Sequence, residues 1–313
     1  MNIIFFGSSE FSMPSLRAIL NSRHKVLALV TQPDRKKGRR LRPSPPPTKV
    51  LALADNIPVY QPETASSPES IRYLKSLNPD IFVVVSFGQI LKRGLLEVPK
   101  MYSVNLHGSL LPKYRGAAPI NWAIIKGEGS TGATVIRMDE GMDSGDIIAS
   151  DNIAIGEDDT SLTMNEKIAE TGVGLLMEAI EAAENGSVKF KKQDESEATY
   201  APKLKKTDGL IDWTAGALEI HNLVRGLIPW PGAYTHHNTK ALKIFKTEVI
   251  PPHGEKKPLS PGAVIDVMEG RGIFVNTGRG VLLITHLQLE GKKILDAAAL
   301  LRGHRITPGE ILR

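Results

Sequence analysis

The chain has 313 residues, 41% hydrophobic and 23% charged, which calls for packed cores, excludes disordered and fibrous classes, and suits about two domains. The absence of cysteine excludes disulfides, a thiol nucleophile and thiolate zinc sites. A formal net charge of +5 favours an anionic partner without requiring one. No apolar run approaches the roughly 18 residues that span a bilayer, and Met1 leads almost directly into a strand, so no membrane association and a cytoplasmic location are expected.

Strand-like and helical patterns alternate from the start. A strand is expected over 2–6, then Gly7, a helix over 14–21, strands over 26–31 and 57–60, and a helix over 69–77. Residues 80–87 contain Ile81-Phe82-Val83-Val84-Val85, apolar at consecutive positions, the mark of a parallel strand buried on both faces. A strand over 103–107, a helix over 118–125, strands over 133–138 and 147–149, and a helix over 160–185 complete an α/β pattern with a doubly wound sheet. Met164, Ile168, Leu175, Leu176, Ala179 and Ile180 lie at helical spacing in that last helix, and Asn185-Gly186 ends it. The first domain is therefore expected over 1–188. Residues 189–207, rich in Lys, Gln, Asp, Glu and Ser, read as an exposed linker. Residues 208–313 carry a helix near 218–223 and short strands near 242–247, 262–267, 272–276 and 281–287, which predict a small β-barrel.

Gly7-Ser8-Ser9 follows the first strand as a dinucleotide-binding loop would, but the glycine fingerprint is incomplete and no acidic residue ends the second strand, which disfavours a nicotinamide enzyme. Asn105-Leu106-His107-Gly108-Ser109-Leu110-Leu111-Pro112 is more informative. Period-two geometry puts Asn105 and His107 on one face at the carboxyl end of a strand, where open α/β sheets bind ligands. Such a pair alone also fits a turn cap beside a satisfied buried histidine. The acidic turn Met138-Asp139-Glu140-Gly141-Met142-Asp143-Ser144-Gly145-Asp146 is expected to fold back toward the same edge and set a carboxylate against His107. Spacing does not distinguish Asp139, Glu140, Asp143 and Asp146. Asn, His and a carboxylate without a Ser or Cys nucleophile suit direct acyl transfer, with the protein stabilising a tetrahedral oxyanion.

These residues resemble the folate-dependent formyltransferases, whose signature is Asn-x-His running into Ser-Leu-Leu-Pro, with a distant Asp-x-Gly-x-Asp-x-Gly turn; Asn105, His107, Ser109 to Pro112 and Asp139 to Asp143 match it. The resemblance is closest to the members acting on methionyl-tRNA. It extends through Phe11, Pro14, Thr31-Gln32-Pro33-Asp34-Arg35, Arg115-Gly116-Ala117-Ala118-Pro119-Ile120, Tyr200-Ala201-Pro202-Lys203 and Pro229-Trp230-Pro231-Gly232-Ala233. Ser8-Ser9 stands where Thr-Pro is usual, and Ser86-Phe87-Gly88 where a Tyr commonly precedes the Gly. The resemblance implies a Rossmann-like catalytic domain, a C-terminal domain like an open OB-type barrel, and transfer of a formyl group from 10-formyltetrahydrofolate to the amine of initiator methionyl-tRNA, leaving tetrahydrofolate. It implies Asn105, His107 and Asp143 as catalytic residues, with Asn105 and His107 on the formyl oxygen and Asp143 orienting His107. It also implies folate binding at Val85, Phe87, Gly88, Ser109, Leu110, Leu111, Pro112 and Asp139.

Arg35, Lys36, Lys37, Arg39, Arg40 and Arg42 crowd a segment broken by Gly38 and ended by Pro43-Ser44-Pro45-Pro46-Pro47. By composition it is a solvated loop. Its place after the second strand, near the carboxyl edge, and the family resemblance point to a tRNA-contacting insertion. Pro229-Trp230-Pro231-Gly232 reads as a rigid buried turn, and the adjacent His236 and His237 as loop residues. No metal is expected, since H-E-x-x-H and compact carboxylate and histidine clusters are missing. A monomer is expected. Competing readings are a sugar-nucleotide formyltransferase, a formyltetrahydrofolate hydrolase, and a non-catalytic RNA-binding protein.

Overall fold

The first strand, β1 (Asn2–Gly7), buries Ile3, Ile4, Phe5 and Phe6 completely, as consecutive apolar positions require inside a sheet covered on both faces. The computed structural model describes residues 1–37, 42–251 and 259–313. After β1 come α1 (Met13–Leu20) and β2 (Lys25–Val30). The flanks of the basic segment form an antiparallel ladder, β3 (Arg35–Lys37) with β4 (Arg42–Ser44), in which Arg35 pairs with Ser44 and Lys37 with Arg42. The described part of the segment is thus a two-stranded ladder and not a plain loop. Its proline ending opens a helix, α2 (Pro47–Ala54), because the fixed φ and missing N–H of proline suit the first helical turn. Then follow β5 (Val59–Tyr60), α3 (Pro68–Ser76), β6 (Ile81–Val85), α4 (Arg93–Leu96), β7 (Ser103–His107), β8 (Arg115–Gly116) and α5 (Pro119–Ile125). The Ser67 hydroxyl caps α3 by accepting from the Ser70 N–H. Next are β9 (Ser130–Arg137), β10 (Ile147–Ala154), α6 (Ser161–Glu184) and β11 (Tyr200–Ala201). No described helix is long and apolar enough to cross a membrane.

The main sheet has the order β10-β9-β7-β6-β1-β2-β5. Strands β5, β2, β1, β6 and β7 are parallel, β9 is antiparallel to β7, and β10 is antiparallel to β9. The chain builds outward from β1 to β5 and then returns to lay β6 on the other side of β1. The carboxyl ends of β1 and β6 therefore flank a topological switch point, the position at which open α/β sheets bind ligands. Beneath it Phe6 packs against Phe82 and edge-on to Phe87, at centroid distances of 4.9 and 5.3 Å.

Two compact units emerge: Met1–Pro119 with Ser130–Ala154 and Asn165–Pro202, and Lys203–Arg313 with Ile120–Gly129 and Ile155–Met164. The second contains α7 (Ala217–Gly226), β12 (Ala233–His237), β13 (Lys240–Ile250), β14 (Val264–Met268), β15 (Gly272–Asn276), β16 (Val281–Leu289), β17 (Leu295–Asp296) and α8 (Ala297–Leu301). Its antiparallel sheet runs β12-β13-β16-β15-β14, with β17 on β16, and closes over Trp213, Ile220, Val224, Leu242, Ile244, Leu282 and Ile284. Two expectations are corrected here. His236 and His237 lie in β12, paired with Ala241 and Lys240, and not in a loop. Trp230 is 55% exposed, so the Pro-Trp-Pro turn turns its indole outward.

Candidate active site

Asn105 and His107 alternate with Val104 and Leu106 along β7 and share one face; both are buried, to 9% and 6% exposure. Because β9 is antiparallel to β7, Arg137 lies opposite Val104 at the amino end of β7, and the acidic turn leaves from there. From there the turn brings Asp143 back to Asn105 and His107.

The four acids of the turn now separate. Asp139 Oδ1 accepts from the Gly141 N–H at 3.0 Å and the Ser144 hydroxyl at 2.9 Å, which closes the turn on itself. Glu140 lies 3.7 Å from Arg93, and Asp146 pairs with Arg137 at 2.7 Å. Asp143 alone faces the Asn-His pair: its Oδ2 is 3.6 Å from His107 Nδ1, and its Oδ1 receives Asn105 Nδ2 at 3.4 Å. The Gly116 N–H donates to Oδ2 at 2.8 Å. Gly116 has φ +117°, and a Cβ there would sit 2.8 Å from the Ala201 carbonyl oxygen, so only glycine brings this donor so close. Asp143 itself has φ +53°, a left-handed conformation that surrounding contacts must hold.

The tautomer of His107 follows from its partners. Nε2 is 2.9 Å from the Tyr114 carbonyl, which only accepts, so Nε2 carries a proton. Nδ1, beyond hydrogen-bonding distance of Asp143, is the nitrogen open to exchange a proton beside a carboxylate.

The other expected positions are disposed as follows. Ser109 is fully buried, and its hydroxyl donates to the Lys113 carbonyl. The Leu111 N–H donates to Thr134, which in turn donates to the Ser109 carbonyl. Leu110 and Pro112 are half-buried, and Leu111 is buried. Val85 and Phe87 are core residues whose carbonyls accept from Ser12, and from Ser8 and Gln32, respectively; Gly88 has φ +85°. Among the basic residues, Arg35 donates to Gln32 at the foot of β3, Lys36, Lys37 and Arg42 lie on the ladder strands, and Arg39 and Arg40 fall outside the described residues.

Sequence reasoning missed the support behind the turn. Gln193 Nε2 donates to the carbonyls of Asp143 and Gly145 at 2.7 and 2.8 Å, while its Oε1 accepts from Arg115 Nη2 at 2.8 Å and Nε at 3.1 Å. Arg115 is 2% exposed and forms a bidentate pair with Glu195, which keeps its guanidinium more firmly protonated than usual. Thr199 accepts from the Tyr114 N–H at 2.8 Å, and its carbonyl accepts from the Arg115 N–H. Lys191, Lys192, Asp194 and Glu195 are exposed, as expected of this stretch, while Gln193 and Thr199 hydrogen-bond to the elements of the site.

Residues 1–180 match the family model described as Formyl transferase, and residues 203–305 match Formyl transferase, C-terminal domain. The chain belongs to the formyl transferase family. It is 45% identical over 313 residues to the methionyl-tRNA formyltransferase of Citrifermentans bemidjiense, covering all of this chain and 96% of that protein. The methionyl-tRNA formyltransferase of Clostridioides difficile is 44% identical over 312 residues, with full coverage of both chains. Among solved formyltransferases, the sugar 3N-formyl transferase WlaRD, crystallised with dTDP and 5-N-formyl-THF, superposes with a TM-score of 0.67 at 21% identity, covering 94% of this chain and 99% of that one. That likeness shows the formyltransferase fold: a Rossmann-like parallel sheet with a separate antiparallel C-terminal sheet.

Proposed function

We propose that this chain transfers the formyl group of 10-formyltetrahydrofolate to the α-amine of initiator methionyl-tRNA, giving N-formylmethionyl-tRNA for translation initiation. The observation that carries this reading is the full-length match, at 44–45% identity, to proteins named for that activity. An Asn-His-carboxylate site without a nucleophilic Ser or Cys suits the chemistry. The reaction takes place in the cytoplasm, on a monomer.

An α-amine with an ordinary pKa of about 7.7–8.0 is partly neutral near neutral pH, so it attacks the formyl carbon without a strong base. As the C–N bond forms, negative charge gathers on the formyl oxygen. Asn105 Nδ2, held to Asp143 only at the long limit of a hydrogen bond, turns to that oxygen, a kind of contact typically worth about 10² to 10³ in rate. His107 accepts the amine proton on Nδ1, and Asp143 stabilises the resulting imidazolium. The tetrahedral adduct then collapses: the bond from the formyl carbon to the folate nitrogen breaks, and that nitrogen takes up the proton that His107 received from the amine. Folate lies at the switch point, against Val85, Phe87 and Gly88, along Ser109, Leu110, Leu111 and Pro112, and beside Asp139. The basic residues Arg35, Lys36, Lys37, Arg39, Arg40 and Arg42 hold the tRNA phosphates.

The test is formyl transfer to charged initiator methionyl-tRNA compared with uncharged tRNA and a sugar-nucleotide amine. Transfer to the charged tRNA alone is expected. Transfer only to the sugar amine, or release of formate without an acceptor, would contradict the assignment.

A further inference from the structure

Asp143 holds a left-handed backbone at φ +53° and faces Asn105 and His107 only while the turn keeps that shape. Tight turns are poor at holding such a residue by themselves, and a displacement of about 1 Å at a reacting group is costly in rate. Within the turn, the hydrogen bonds of Asp139 close the segment from Gly141 to Ser144 but leave the Asp143 carbonyl untouched. That carbonyl and the Gly145 carbonyl both receive the side-chain amide of Gln193. Next to it, Gly145 leaves no room for a Cβ against the Arg137 carbonyl, so the backbone is confined on the other side as well.

We propose that Gln193 is a positioning residue for Asp143: its amide N–H groups clamp the turn while its carbonyl oxygen is fixed by the buried guanidinium of Arg115, so that the stretch after α6 sets the carboxylate against His107. This rests on the acyl-transfer reading of Asn105, His107 and Asp143 given above. The chemistry of the clamp is specific to an amide. One end of the side chain must donate twice, to two carbonyls, and the other must accept twice, from Arg115 Nε and Nη2. A glutamate keeps the acceptor end and strengthens the pairing with Arg115, but presents acceptor to acceptor at the turn. The substitution therefore separates anchoring of Arg115 from clamping of Asp143.

The test compares Gln193→Glu and Gln193→Met with the wild type. Turnover of the formyl donor is measured at saturating acceptor, KM is measured for both substrates, and amide hydrogen exchange is followed over residues 139–146. Both variants are expected to lose about tenfold or more in kcat, with each KM within about twofold of wild type, and to exchange faster in the turn. Combined with Asp143→Asn, Gln193→Glu should add less than about twofold, since both changes remove the same contribution. Wild-type kcat in Gln193→Glu, losses that multiply with those of Asp143→Asn, or a rise in both KM values with kcat retained would overturn the proposal. Should Gln193→Met fail to fold, Gln193→Glu carries the test. Wild type that formylates no tRNA refutes the functional reading, while hydrogen exchange of the turn still decides the clamp: unchanged exchange in Gln193→Glu overturns it.

Discussion

Asp143→Asn isolates the charge of the carboxylate from its shape. The asparagine still accepts from the Gly116 N–H through its carbonyl oxygen, so the turn keeps that anchor. At the 3.6 Å separation from His107 Nδ1, a carboxylate and an imidazolium attract by about 1 kcal/mol when screened as in bulk water and by about 4–5 kcal/mol at an effective dielectric of roughly 20. The side chains are 6% and 20% exposed, so the true attraction lies between these limits. In the proposed step the imidazolium develops as the amine loses its proton, so this energy is expressed in the transition state. At roughly 1.4 kcal/mol per tenfold in rate, kcat is expected to fall between about tenfold and 10³-fold, with the KM for folate and tRNA little changed. Single-turnover formyl transfer at saturating substrates measures this directly, because product release does not mask the chemical step. A folded Asp143→Asn enzyme within about twofold of wild type would refute the role of the charge.

Other outcomes follow from the same geometry. Asn105→Ala, which removes the oxyanion contact, should lower kcat by about tenfold to 10³-fold, and His107→Ala, which removes the proton acceptor, by at least about tenfold; near-normal turnover in either removes that residue from the mechanism. Replacing Arg39, Arg40 and Arg42 with Gln should raise the KM for tRNA, leave that for the folate unchanged, and flatten the slope of log KM against log salt by up to about 2–3 units; an unchanged slope would show that these side chains touch no phosphate. Asp80 accepts the Asn2 N–H and the Lys100 ammonium, each at 2.7 Å, and these, the Asn2 bond first, hold its carboxyl below the usual range. A depressed folded value stabilises the protein above the ordinary aspartate pKa of about 3.9 and ceases to do so as pH falls through that folded value. Asp80→Asn should thus cost roughly 1 kcal/mol at pH 7, seen as a gap in Tm that narrows as acid protonates Asp80; a gap independent of pH would contradict the linkage.

The parts of this fold that were legible in the sequence are those written in local periodicity. The run Ile81 to Val85 announced a strand buried on both faces and became β6, next to β1 at the centre of the sheet. Period two put Asn105 and His107 on one face, as found on β7. The identity of the carboxylate was not legible, because four acids within eight residues differ only in how the turn bends, and the positive φ of Asp143 leaves no mark on spacing. The ladder β3-β4 was hidden by its composition, since Arg-Lys-Lys and Arg-Pro-Ser give no apolar alternation. Proline at the start of α2 was read as an ending when it was a beginning. Gln193 was least legible of all: it lies 50 residues from Asp143 and 78 from Arg115, in a charged stretch that by composition belongs to solvent.

In the proposed reaction a formyl group passes directly to the amine of methionyl-tRNA under the control of Asn105, His107 and Asp143. It is tested most directly by following radiolabelled formyl from 10-formyltetrahydrofolate to charged initiator tRNA, with wild type and His107→Ala in parallel. Label is expected on the methionyl amine with wild type, with a rate at least about tenfold lower for His107→Ala at unchanged tRNA affinity. Label appearing as formate or on another acceptor, or undiminished transfer by His107→Ala, would contradict it.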